Sequence, residues 1–87
     1  MNDWLERLRS MEPEEMQRRT LVELCGAERL LVEHHRGILA YGSECIRIGA
    51  TFGQLLVEGE GLRLCCMSRA QLVIRGRIRG LRLEVGE

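Results

Sequence analysis

Along this chain the apolar positions change period once. In "MNDWLERLRSM", Trp4, Leu8 and Met11 recur at helical spacing and fall on one face. Asp3 stands before that run as a cap, and Glu6 follows three residues later as in a capping box. Pro13 then interrupts the pattern. From Arg19 onward the period is two. "TLVELC", "RLLVEH", "ILAY", "CIRIGATF", "QLLVEG", "LRLCC" and "QLVIRGRIRGLRLEV" read as strands, with glycine at most junctions, "GEG" as a turn and "SRA" as a break. The pattern predicts an N-terminal amphipathic α-helix within residues 1–18 and a mainly β domain over 19–87. That domain holds about seven or eight short antiparallel strands, in a meander, sandwich or solenoid-like sheet.

Two details refine this picture. In the last segment Leu72, Ile74, Gly76 and Ile78 share one parity, while Arg75, Arg77 and Arg79 share the other. After Gly80 the apolar residues are Leu81, Leu83 and Val85, so the parity has flipped. A β-bulge at Arg79 and Gly80 produces such a slip, and a tight turn there is the alternative. Second, "RLLV", "QLLV" and "LVI" are apolar on both faces. A sheet with one wet face alternates more cleanly. Either a second sheet, the helix or a neighbouring subunit covers the other side, and stacking of subunits is the economical choice for so small a domain.

Composition narrows the function classes. The chain has 87 residues, enough for one small domain. Its hydrophobic share is 45%, that of a folded protein, but aromatics are only 3%: Trp4, Tyr41 and Phe52. Few faces are therefore available to stack bases. Formal net charge is +0, which gives no overall attraction to nucleic acid or membrane. The charge is nonetheless uneven. Residues 1–33 carry five arginines against eight acids, whereas residues 61–87 carry six arginines against two glutamates. Every basic side chain is arginine, which favours planar, bidentate contacts.

Candidate chemistry is sparse. The four cysteines form no C-x-x-C pair and read as buried packing residues rather than metal ligands. With no secretory signal and no apolar run of spanning length, a cytoplasmic, reducing setting is expected. The serines Ser10, Ser43 and Ser68 sit in no nucleophile elbow, and Asp3 is the only aspartate. Cys45 has no spacing that ties it to a histidine. Glu58 and Glu60 flank "GEG" as solvated surface. His34 and His35 are adjacent, so in a strand they splay to opposite faces and cannot share a metal simply. They mark a strand end that enters a turn at Arg36 and Gly37. The sharpest charged feature is the ridge Arg75, Arg77 and Arg79, projecting from one face of one strand. It suits an acidic partner, or else it is a solvated face paired with glutamates. No catalytic, cofactor or metal residue is expected.

The order of motifs resembles the YabP/YqfC family of sporulation proteins, closer to its YqfC branch, over about residues 18–84. The resemblance is carried by "LLVEHHRGIL", close to the family's I-E-N-H-R-G-I-L core. It is carried also by "IRIGATFGQLLVEGEGLRL" and by "LVIRGRIRGLRLE", close to an I-x-G-x-I ending. His34 stands where asparagine is common, which argues against a catalytic role there. The resemblance implies a non-enzymatic protein made in the mother cell, contributing to the spore envelope, with a membrane-protein partner of the YqfD type. The resulting expectation is a self-associating structural or interaction protein without cofactor or small-molecule substrate. Trp4, Leu8 and Met11 would form a docking face on the helix, and Arg75, Arg77 and Arg79 a partner-facing ridge. The alternative is a small β-barrel that binds nucleic acid through the same arginines.

Overall fold

The computed structural model describes residues 18–86, so the expected helix and its face Trp4, Leu8 and Met11 lie outside the described residues. Six strands follow: β1 (Leu21–Cys25), β2 (Arg29–Glu33), β3 (Ile38–Tyr41), β4 (Cys45–Ala50), β5 (Gly53–Met67) and β6 (Gln71–Val85). They form one antiparallel sheet in the order β1-β2-β6-β5-β4-β3. Among the described residues no helix is long and apolar enough to cross a membrane.

The mainly β reading holds, but the strands are fewer and two are much longer than their sequence pattern suggests. β5 and β6 each run for 15 residues. The "GEG" of β5 does not end the strand. It is absorbed within the ladder, where the β5–β6 register shifts between Glu58 and Gly59 and again between Glu60 and Arg63. Glycine permits this because the two backbones come unusually close. A Cβ on Gly59 would overlap the Arg77 carbonyl, and one on Gly76, whose φ is +142°, would lie 2.7 Å from the Gly61 carbonyl oxygen. The slip expected at Arg79 is a bulge rather than a turn. Gly80 pairs with Glu58 and Ile78 with Gly59, leaving Arg79 as the extra residue.

These irregularities let the sheet fold over on itself. The first half of β6 pairs with β2 and with the end of β5, while its second half pairs with the start of β5, which in turn pairs with β4. Leu30 and Val32 from β2, Ile46 and Ile48 from β4, Leu55 and Val57 from β5, and Leu72 and Ile74 from β6 meet in one core and are almost wholly excluded from solvent. A flat single sheet could not hide them. In "QLLV" the two-sided apolarity has an internal cause, whereas Leu31 and Val73 on the outer face of β2 and β6 are only half-buried. One face of each strand enters this core. On the other face, Leu56 lies in register between Arg47 and Arg82 and is only 3% exposed. Long arginine side chains can cover such a residue with their methylene stems while the guanidinium stays wet.

Hydrogen bonds outside the ladders hold the layers together. Thr20 and Thr51 bond each other, and the Thr20 hydroxyl also donates to the His34 carbonyl at 2.6 Å. The N–H of Arg36 donates to the Gly49 carbonyl, and Gly49 N–H donates to Gly37, which prolongs the β3–β4 pairing to the corner after β2.

Candidate interaction surface

The pairing of β2, β6 and β5 determines what surrounds the arginine ridge. Arg75 on β6 pairs with Arg29 on β2 and with Arg63 on β5. Three exposed arginines thus stand in a row across neighbouring strands on the outer face of the sheet. Like charges directly opposite one another disfavour pairing. No carboxylate lies within salt-bridge distance of this row among the described residues.

Arg77 and Arg79 have a different setting. Glu60 forms ion pairs with both: Arg79 Nη2 at 3.0 Å from Oε2, and Arg77 Nη1 at 3.7 Å from Oε1. Register gives the reason, since Glu60 pairs with Arg77 across the ladder and the bulge brings Arg79 to the same side chain. The predicted ridge is therefore divided. Two of its members share a glutamate, and the third belongs to a crosswise row. Arg29 and Arg63 were the missing members of that row. Their parity places them on outward faces, but only the long-range register aligns them with Arg75.

The "EHHRG" corner is architecture. β2 ends at Glu33, and His34 takes a φ of +59°, the left-handed region, where the chain turns away. Its N–H donates to the Ala70 carbonyl and its own carbonyl accepts from Thr20. Its Nδ1 is buried and has no hydrogen-bond partner among the described residues. His35 binds through both ring nitrogens. Gly37 N–H donates to Nδ1 at 2.9 Å, and Nε2 lies 2.8 Å from the Ser68 carbonyl, as in the Nε2–H tautomer. Each histidine thus ties the corner to the β5–β6 hairpin tip.

The cysteines correct an expectation. Cys25, Cys45, Cys65 and Cys66 are free and exposed rather than packed inside. Cys65 falls at the register shift between Leu64 and Cys66, so the adjacent pair is not held in a regular ladder. Among the described residues no group of histidine, cysteine and acidic side chains could hold a metal ion. Concavities mark the surface of the described residues. One is lined by Glu44, Cys45, Glu58, Glu60 and Arg79, and another by Glu23, Cys25, Arg29 and Leu31.

The YabP family model matches residues 16–87, which spans every strand of the sheet. The chain belongs to the YabP family. It is also similar to the uncharacterized protein YqfC of Bacillus subtilis (strain 168), at 23% identity over 78 residues, covering 90% of this chain and 84% of that protein. No solved structure matches the chain significantly. Histidine at position 34 has a physical reason: it is one of the residue types enriched at positive φ, and the backbone at this corner requires it.

Proposed function

We propose that this protein is a non-enzymatic structural and interaction component of sporulation, self-associating in the mother-cell cytoplasm and acting in construction of the spore envelope. Its family membership supports the sporulation context, and a membrane protein of the YqfD type is the partner that the resemblance implies. The observation that carries an interaction role is the row Arg29, Arg75 and Arg63. An exposed row of like charges across three strands works against the sheet that carries it. An acidic partner surface would relieve that repulsion and take bidentate contacts from the guanidinium groups.

The test is replacement of Arg29 and Arg75 together by glutamate in a spore-forming host. The expected result is a protein that accumulates and folds normally but no longer co-purifies with the membrane fraction, with a fall in heat-resistant spores. Unchanged recovery with membranes and unchanged sporulation would defeat this reading. Filter binding of single-stranded DNA and RNA at low salt separates the nucleic-acid alternative. Retention that the same replacement abolishes would favour that alternative instead.

A further inference from the structure

The second half of β6 has an open side. β2 pairs with β6 only as far as Arg75, and beyond it the N–H groups of Gly76 and Ile78 donate to the carbonyls of Glu28 and Ala27 in the β1–β2 turn. No described strand flanks residues 80–85 on that side. The direction of the free backbone groups follows from the ladder. Gly76 and Ile78 point away from β5, the bulge at Arg79 resets the alternation, and Gly86 N–H donates to Phe52 at the start of β5. Residues 80, 82 and 84 accordingly face β5. Leu81, Leu83 and Val85 aim their N–H and carbonyl groups at the open edge.

Those same three residues carry an uncovered apolar face. Leu81 pairs with Val57 and Leu83 with Leu55, so they continue the inner rows of the core, yet their exposure climbs from 37% at Leu81 to 57% at Leu83 and 71% at Val85. Edge strands are usually guarded by charge or distortion, and a strand with free bonding groups and an apolar face is a template for pairing.

The sequence of this edge, Leu81-Arg82-Leu83-Glu84-Val85, is self-complementary about Leu83, with apolar residues at matching positions and opposite charges at the two between them. We infer that it pairs with the same edge of a second copy, antiparallel and centred on Leu83. In that register Leu83 faces Leu83 of the other copy, and Leu81 faces Val85. Each of these residues has its bonding groups directed outward, so every pair exchanges backbone hydrogen bonds. Arg82 then stands opposite Glu84, and Glu84 opposite Arg82, in the closer non-hydrogen-bonded pairs. Apolar rows from both copies join on one face while opposite charges meet on the other. The other edge strands lack this property. An antiparallel pairing of β1 about its centre sets Glu23 against Glu23, and β3 carries no charge and is interrupted by a register shift. Two-fold pairing closes after two copies.

This inference rests on the proposed self-association, and the experiment separates the two. The full-length protein, its Arg82→Glu variant, its Glu84→Arg variant and an equimolar mixture of the variants are compared by sedimentation velocity. Loading at about 200 μM suits a small edge interface. The wild type is expected to be a dimer. Each single variant sets like charges opposite one another twice and should weaken dimerisation by about tenfold or more. Mixing the two variants restores both opposite-charge pairs, so the mixture should return to the dimer. Leu83→Pro removes an outward N–H while sparing the β5 ladder, and it should abolish the dimer while leaving the circular dichroism spectrum unchanged. A wild-type dimer that every variant preserves would overturn this edge and leave self-association standing. Growth beyond a dimer would overturn the two-fold arrangement. A wild-type monomer at this concentration would overturn both readings. Hydrogen exchange on that monomer then tells whether another part of the chain protects the amides of Leu81, Leu83 and Val85.

Discussion

Thr20 and Thr51 exchange hydrogen bonds: the backbone N–H of each donates to the hydroxyl oxygen of the other, both at 2.9 Å. They lie 31 residues apart, one before β1 and the other in the β4–β5 turn. The Thr20 hydroxyl in turn donates a hydrogen bond to the His34 carbonyl, and the residue is only 8% exposed. One side chain thus pins three segments. Thr20→Val keeps the shape but leaves the Thr51 N–H and the His34 carbonyl unpaired. The expected loss is about 2 kcal/mol in urea unfolding, whereas Thr20→Ser should lose well under half of that.

At the corner after β2, position 34 needs a backbone rather than a side chain. Its imidazole Nδ1 is buried and unpaired among the described residues, while φ is +59°. His34→Asn should therefore change unfolding free energy by less than about 0.5 kcal/mol. His34→Val, β-branched in a left-handed conformation, should cost about 2 kcal/mol. An asparagine variant as damaged as the valine variant would mean that the imidazole itself holds the corner.

Where β5 and β6 approach most closely, a methyl group has no room. Gly59→Ala would drive its Cβ into the Arg77 carbonyl. The backbone has to shift at a point that lets both long strands bend, so the loss should reach about 3 kcal/mol or more. Gly26→Ala is the comparison. Its added Cβ meets nothing within 4 Å, and only its φ of +59° opposes the change, at about 1 kcal/mol. Thermal melts of the two variants should differ clearly.

How far the sequence discloses this fold depends on the range of the interaction. The period of two, the glycine-marked corner at residues 34–37 and the parity flip at Arg79 and Gly80 are local, and each can be read from a few residues. The length of β5 is not, because "GEG" carries a strong turn signal and only its close pairing with β6 keeps it in the ladder. The arginine row is hidden for the same reason. Arg29 and Arg75 become neighbours through a register that joins strands distant in sequence. Cysteine exposure escapes composition altogether, since "LRLCC" looks like a core strand until the register shift after Leu64 is known.

Exposed thiols make a direct check. Cys25, Cys45, Cys65 and Cys66 are all free at the surface, so the folded, reduced protein should take up four maleimide groups, read by intact mass, without prior denaturation. Fewer additions under native conditions would identify a thiol covered by residues beyond those described or by a second copy.

Arg75 offers the least intuitive expectation. It pairs with Arg29 on one side and Arg63 on the other, with no carboxylate in salt-bridge range among the described residues. Removing an exposed charge from a sheet ordinarily has little effect or costs a little. Here it removes two like-charge neighbours at once. Arg75→Gln, which keeps a polar, outward side chain, should raise unfolding free energy by about 0.5 kcal/mol at low salt. The gain comes from repulsion between exposed groups, so it should shrink toward zero at about 0.5 M salt, where screening reaches such distances. Arg77→Gln should move the other way or not at all, because Glu60 sits beside Arg77. Urea midpoints for both variants at two salt concentrations distinguish the row from the Glu60 cluster. A stabilising, salt-sensitive change confined to Arg75 is the signature of like charges held together by the register of the sheet.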